Sequence, residues 1–193
     1  MKLPFKKIEI NSPVILGYAA ISFIVLIFGY ATLGNSTKAL FTCYRTSIAD
    51  PMMYLRLITH VFGHADISHY LNNFFLIMLI GPMLEEKYGS KRLIYMMFIT
   101  AVVAGIVNVL ISSNGLLGAS GIVFMMIVLC SFTSVKSGKI PLTMIIVVII
   151  YIGQEIITGI AVKDNISQLS HILGGMCGIG FGLYYNQHGI QKN

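Results

Sequence analysis

Six apolar runs separated by short polar links dominate this chain: Pro13–Leu33, Ser68–Leu84, Leu93–Ile111, Gly121–Val135, Pro141–Ile160 and Leu169–Tyr185. One helical crossing of a hydrocarbon core about 30 Å thick takes about 20 residues. The runs therefore predict an all-α polytopic membrane protein with six transmembrane helices, near 13–33, 68–84, 93–111, 121–135, 141–160 and 169–185. They leave one long connection, 34–67, in a single membrane domain over 1–193. A cleaved signal peptide is the rival reading of the first run, but that run exceeds the roughly 7–15 apolar residues of such a segment, and no small-x-small site follows closely.

Composition and charge agree with the bilayer reading. Of 193 residues, 56% are hydrophobic and 10% charged, too apolar a balance for a soluble surface. The net charge of +6 would suit nucleic acid, so its placement decides. With the N-terminus cytoplasmic, Lys2, Lys6, Lys7, Lys87, Lys91, Arg92, Lys136, Lys139 and Lys192 fall inside, and only Lys38, Arg45, Arg56 and Lys163 outside. This is the positive-inside pattern, with both termini cytoplasmic, and no nucleic-acid motif competes with it. Cys43, Cys130 and Cys177 form neither a disulfide framework nor a CxxC pair.

Polar groups inside a bilayer are expensive and point to function. Three clusters stand out: "HVFGHADISHYLNN" at 60–73, "GASG" at 118–121 and "SHILGGMCGIGFG" at 170–182. Counting crossings places the starts of the second, fourth and sixth helices at one face of the membrane. His69, Asn73, Ser120 and His171 then lie at one level. His69 and Asn73 are four apart and share a helix face; Asn73 reads equally as an interhelical packing residue. Gly174, Gly178 and Gly182 recur every four residues, which suits close helix packing and equally the approach of a Ser and a His on different helices. Gly118 and Gly121 flank Ser120, a pattern that is also an ordinary helix start when taken alone.

At these residues the chain resembles the rhomboid family of intramembrane serine proteases. The HxxxN pattern is met by His69 and Asn73, GxSG by Gly118, Ser120 and Gly121, and HxxGxxxG by His171, Gly174 and Gly178. The resemblance implies a six-helix rhomboid-like bundle in which Ser120 is the nucleophile and His171 the general base. His69, Asn73 and the Ser120 N–H would form the oxyanion hole. It also implies a supporting role for Arg56, His60 and His64 in "LRLITHVFGH", and for Glu85 and Gly89 in "EEKYGS", where the family holds a structural carboxylate. Three positions depart from the pattern: Leu55 stands in place of a loop tryptophan, Phe124 in place of a tyrosine, and Ser170 in place of an alanine. The Phe124 ring still suits stacking beneath the imidazole.

The implied activity is hydrolysis of peptide bonds in or near single-span transmembrane segments, with no cofactor or metal. Substrates would approach laterally through lipid, past the fifth helix, and be cut near the extracytoplasmic face of a cell membrane. His60, His64, His69, Asn72 and Asn73 are the expected lining of a water-filled cavity over the dyad. Gln154 and Glu155 lie near the outer end of the fifth run, Glu155 reading either as an interface cap or as a cavity residue. His60 and His64 have a spacing that suits a metal, but no HExxH helix accompanies them. Inactive rhomboid relatives, which bind clients without cutting, characteristically lack the Ser or the His. A transporter would show repeated halves with broken helices.

Overall fold

The computed structural model describes residues 10–112, 114–132, 142, 145, 146, 149, 150 and 165–189, the last segment without the side chains of 165–167. Its elements are α1 (Pro13–Ala31), α2 (Asn35–Leu40), α3 (Pro51–Thr59), a 3-10 turn (His60–Phe62), α4 (Ile67–Tyr88), α5 (Ser90–Ile111), α6 (Ser120–Ser131) and α7 (Asn165–His188). Apart from isolated helical positions, the expected fifth helix at 141–160 lies outside the described residues, as do Gln154, Glu155 and the end of the fourth run at 133–135. So do Lys2, Lys6, Lys7, Lys136, Lys139, Lys163 and Lys192.

α1, α4 and α5 are each long and apolar enough to cross a membrane, and α6 is a shorter apolar helix. The outward faces carry the same signature. α1 buries Ile15, Tyr18, Ser22, Val25, Leu26 and Gly29 along one stripe, yet exposes Ile21, Phe23, Ile24, Ile27 and Phe28 on the other. A helix apolar all round needs either protein or lipid on every side. α6 takes the first option: Ile122, Val123, Met125, Met126, Val128 and Leu129 are all buried, so it stands at the centre of the bundle. The 12 residues described as α6 span about 18 Å.

Helix directions follow from paired contacts. Ile67 N–H at the start of α4 donates to Tyr30 Oη at the end of α1 (3.0 Å), while Glu85 near the end of α4 accepts from Val14 and Ile15 N–H at the start of α1 (3.1 Å each). α1 and α4 are therefore antiparallel. α7 runs parallel to α6, because a Cβ on Gly174, Gly178 or Gly182 would meet Gly121, Met125 or Phe132 in turn. With Gly118 against His69, α4, α6 and α7 all begin at the same end of the bundle.

Several boundaries differ from the sequence expectation. α4 continues one turn beyond Leu84, to Tyr88, and the Glu85 carboxylate in that turn is buried and satisfied by the free N–H groups of α1 and by Ser90 Oγ (2.7 Å). Gly89, at φ 82°, then turns the chain directly into α5, three residues earlier than expected. The long connection is not an open loop. Asp50 caps α3 by accepting from Met52 N–H (2.9 Å), with Pro51 as the first helical residue. α7 begins at Asn165, one turn before the apolar run, and α6 is described only to Ser131.

Candidate active site

The site is built from the starts of three helices. Asp66 caps α4, its carboxylate accepting from His69 N–H at 2.7 Å, which fixes His69 in the first turn. Asn73, one turn on, donates through Nδ2 to His69 O (3.0 Å), and the carboxamide keeps a second N–H. His69 Nδ1 accepts from Ala65 N–H at 3.5 Å, so its proton sits on Nε2. Both side chains face the turn ahead of α6: a Cβ on Gly118 would lie 2.7 Å from His69 Nε2 and 3.9 Å from Asn73 Nδ2. Gly118 also has φ 116°, so close approach and backbone conformation each demand glycine there.

Ser120 is the first residue of α6, half-buried, in the turn where helical N–H groups lack intrahelical acceptors and the helix dipole is positive. Phe124, one turn later on the same face, stacks against His171 of α7 with ring centroids 4.2 Å apart and planes 5° apart. The seam beneath them is as tight as helices allow. A Cβ on Gly174 would fall 2.0 Å from Gly121 O, one on Gly178 2.6 Å from Met125 O, and one on Gly121 2.8 Å from Ser170 Oγ. These approaches bring the face of α7 that bears His171 onto the face of α6 that bears Ser120 and Phe124.

The sequence expectation put His60 and His64 on an open cavity; both are almost wholly buried, and His64 borders a pocket with Tyr30, Lys38 and Leu117. They are 1% and 2% exposed. His60 donates through Nε2 to Ala101 O on α5 (3.1 Å), and its own carbonyl accepts from Gly118 N–H (3.0 Å), so it ties α5 to the turn. Burial lowers its pKa to about 4, against the smaller opposing pull of the Ala101 carbonyl. His64 donates to Phe62 O (3.2 Å), and its ring meets His69 edge-on at 5.0 Å. Its pKa also falls to about 4, first through burial and then through His69. Asn72 is exposed and shares an apolar groove with Ala19, Leu71 and Phe75.

Arg56 and Glu85 lie away from the turn. Arg56 donates through Nε to Ala39 O (2.8 Å), lies 3.6 Å from Asp50 and stacks over Tyr44 at 4.4 Å, which holds the connection between α1 and α4 together. Glu85 caps α1 at the opposite end of the bundle.

Four features of this architecture escaped the sequence reading. They are the Asp66 cap, the Tyr18 hydroxyl bonded to Val61 O (2.8 Å), the antiparallel bridge between Cys43 and Leu116, and Asn108 beside that bridge. Asp66 carries a legible signal, an N-cap residue directly before a helical run. Asn108 carries another, since it is the one carboxamide within Leu93–Ile111.

The Rhomboid domain profile matches residues 51–188. Rhomboid-like protease 3 of Toxoplasma gondii is 29% identical over 137 residues, covering 68% of this chain and 52% of that protein. Rhomboid-related protein 1 of Caenorhabditis elegans is 29% identical over 157 residues, 71% of this chain and 42% of its own length. Rhomboid protease GluP of Bacillus subtilis is 25% identical over 156 residues, 79% of this chain and 31% of its own. The chain thus spans about half or less of the length of these relatives. With the profile covering well over half of its residues, this multi-pass membrane protein belongs to the rhomboid family.

Proposed function

We propose that this chain is a serine endopeptidase that hydrolyses peptide bonds in or near the transmembrane segments of other membrane proteins. The observation that carries the reading is the convergence on one turn: His69 Nε2 and Asn73 Nδ2 against Gly118, and His171 stacked on Phe124 one helical turn below Ser120. The protease relatives support it.

In this mechanism neutral His171 takes the proton from Ser120 Oγ as the oxygen attacks the scissile carbonyl. The developing oxyanion is met by His69 Nε2–H, the second N–H of Asn73 and the backbone N–H of Ser120 at the positive end of α6. His171 then gives its proton to the leaving amine. Water deprotonated by His171 attacks the Ser120 ester, and His171 returns that proton to Ser120 Oγ as the acid leaves. In this reading stacking on Phe124 orients the imidazole, the part that a carboxylate plays in a triad. The reading further takes six crossings with both termini cytoplasmic, a site open to the extracytoplasmic side of the cell membrane, and substrates that approach laterally through lipid past the fifth helix.

A fluorophosphonate serine probe applied to detergent-purified protein tests this. Wild type is expected to label and to cut a single-span substrate, while Ser120→Ala and His171→Ala do neither and keep the wild-type thermal midpoint. A folded wild type that neither labels nor cuts would replace this reading with client binding.

A further inference from the structure

The bridge ahead of the turn carries a further assignment. Cys43 and Leu116 exchange both backbone hydrogen bonds at 2.8 Å, joining the segment after α2 to the strand-like stretch that ends at Gly118. Asn108, near the end of α5 and 2% exposed, reaches both sides of this joint. Its Nδ2 donates to Cys43 O (3.0 Å) on one side and to Asn114 O (3.2 Å) on the other. From Asn114 the chain takes four residues to reach Gly118, whose N–H is fixed to His60 O.

Stability alone does not account for this side chain. Its Oδ1 is buried without a hydrogen-bond partner, a cost that an apolar residue of the same size would not incur. Neither acceptor depends on it either: Cys43 O keeps the Leu116 N–H, and Asn114 is exposed to solvent. What the carboxamide supplies is register, since two donors on one rigid group fix two carbonyls relative to each other.

We infer that Asn108 is a positioning residue for the candidate nucleophile, pinning the Asn114–Gly118 segment against Cys43 so that Gly118 and Ser120 meet the His69 and Asn73 donors. The assignment of a catalytic consequence rests on the protease reading above; the assignment of a structural one does not. Hydrophobic replacement at this site loosens the turn without unfolding the helices around it.

The test uses the full chain as wild type, Asn108→Leu, Asn108→Ser and Asn108→Gln. Hydrogen exchange at the Leu116 and Gly118 amides is expected to quicken at least about tenfold in the Leu and Ser variants, with α5 and α6 unchanged. The thermal midpoint stays within about 5 °C. Fluorophosphonate labelling and kcat fall by about tenfold to 100-fold with KM held within about twofold, because only the placement of the reacting groups has changed. Asn108→Gln, which keeps both amide donors, recovers part of each. Unchanged exchange at Leu116 and Gly118 in the folded variants overturns the inference, as does unfolding of both the Leu and Ser variants, which would make Asn108 a stability residue. Faster exchange with unchanged labelling overturns its catalytic half. A wild type that neither labels nor cuts counts against the protease reading, and the exchange data still decide the role of Asn108.

Discussion

The imidazole of His171 lies flat on the ring of Phe124, centroids 4.2 Å apart and planes 5° apart. A general base has to hold one ring nitrogen toward its nucleophile, and in a triad a carboxylate does this through the other nitrogen. Here an aromatic face fixes the plane of the ring, and α6 sets that face one turn after Ser120. The same face also favours the cation that forms when His171 takes the proton.

Removing that face is expected to slow the chemical step more than binding. Aromatic stacking of this kind is worth about 0.5–1.5 kcal/mol, so Phe124→Leu should lower kcat by about three- to tenfold with KM little changed. Phe124→Tyr keeps the face and should stay near wild type. Steady-state kinetics on a single-span substrate, with the thermal midpoint as a folding control, checks both. Equal kcat in Phe124→Leu and wild type would remove the stack from the mechanism.

Asn73 and Asn72 are adjacent in sequence and differ in burial. Asn73 is buried with its Nδ2 near Gly118, while Asn72, about 100° further round α4, lies exposed in a groove. An oxyanion donor acts mainly in the transition state, so Asn73→Ala should cost roughly 100- to 1,000-fold in kcat with a small effect on KM. Asn72→Ala should leave both constants unchanged. Similar losses from the two variants would argue for general damage to α4.

The α6–α7 seam predicts a sharp positional contrast among glycines. A methyl group on Gly174 would lie 2.0 Å from Gly121 O, whereas one on Gly180 would meet nothing within 4 Å. Gly174→Ala should cost roughly 1–3 kcal/mol or more, since backbone rather than a flexible side chain must move, and should abolish labelling of Ser120 by separating the two helices. Gly180→Ala should match wild type in thermal midpoint and labelling rate. A well-folded, fully labelled Gly174→Ala protein would show that the seam is wider than described.

How much of this was legible in the sequence depended on the kind of residue. His69, Asn73, Ser120 and His171 stood out because polar groups are conspicuous in apolar runs, and a spacing of four fixes a shared helix face without any knowledge of tertiary structure. The burial of His60 and His64 was not legible. A histidine in a polar connection reads as solvated until Ala101 O and Phe62 O are found beside it. Glu85 was legible through the resemblance alone, which implied a structural carboxylate, and its partners, the first N–H groups of α1, lie about 70 residues away in sequence. Helices as short as α2 and α3 have too few turns for periodicity to register, and the Cys43–Leu116 bridge joins positions 73 residues apart.

His60 gives the stability a pH dependence of defined sign. Burial holds its folded pKa at about 4 against an ordinary value of 6.5, so between these two values the unfolded chain binds a proton that the folded chain does not. Stability is therefore full above about pH 6.5 and falls as the pH drops toward 4, by up to roughly 3 kcal/mol for this group at about 1.4 kcal/mol per unit. Protonation at Nδ1 would also bury a donor at an atom that has no hydrogen-bond partner. His60→Gln, with an amide in place of the Nε2–H that donates to Ala101 O, cannot titrate. Thermal midpoints of wild type and His60→Gln measured from pH 7.5 to 4.5 should diverge, with a steeper acid loss in wild type and a residual slope from His64 in both. Parallel curves would mean that His60 is already solvated in the folded protein.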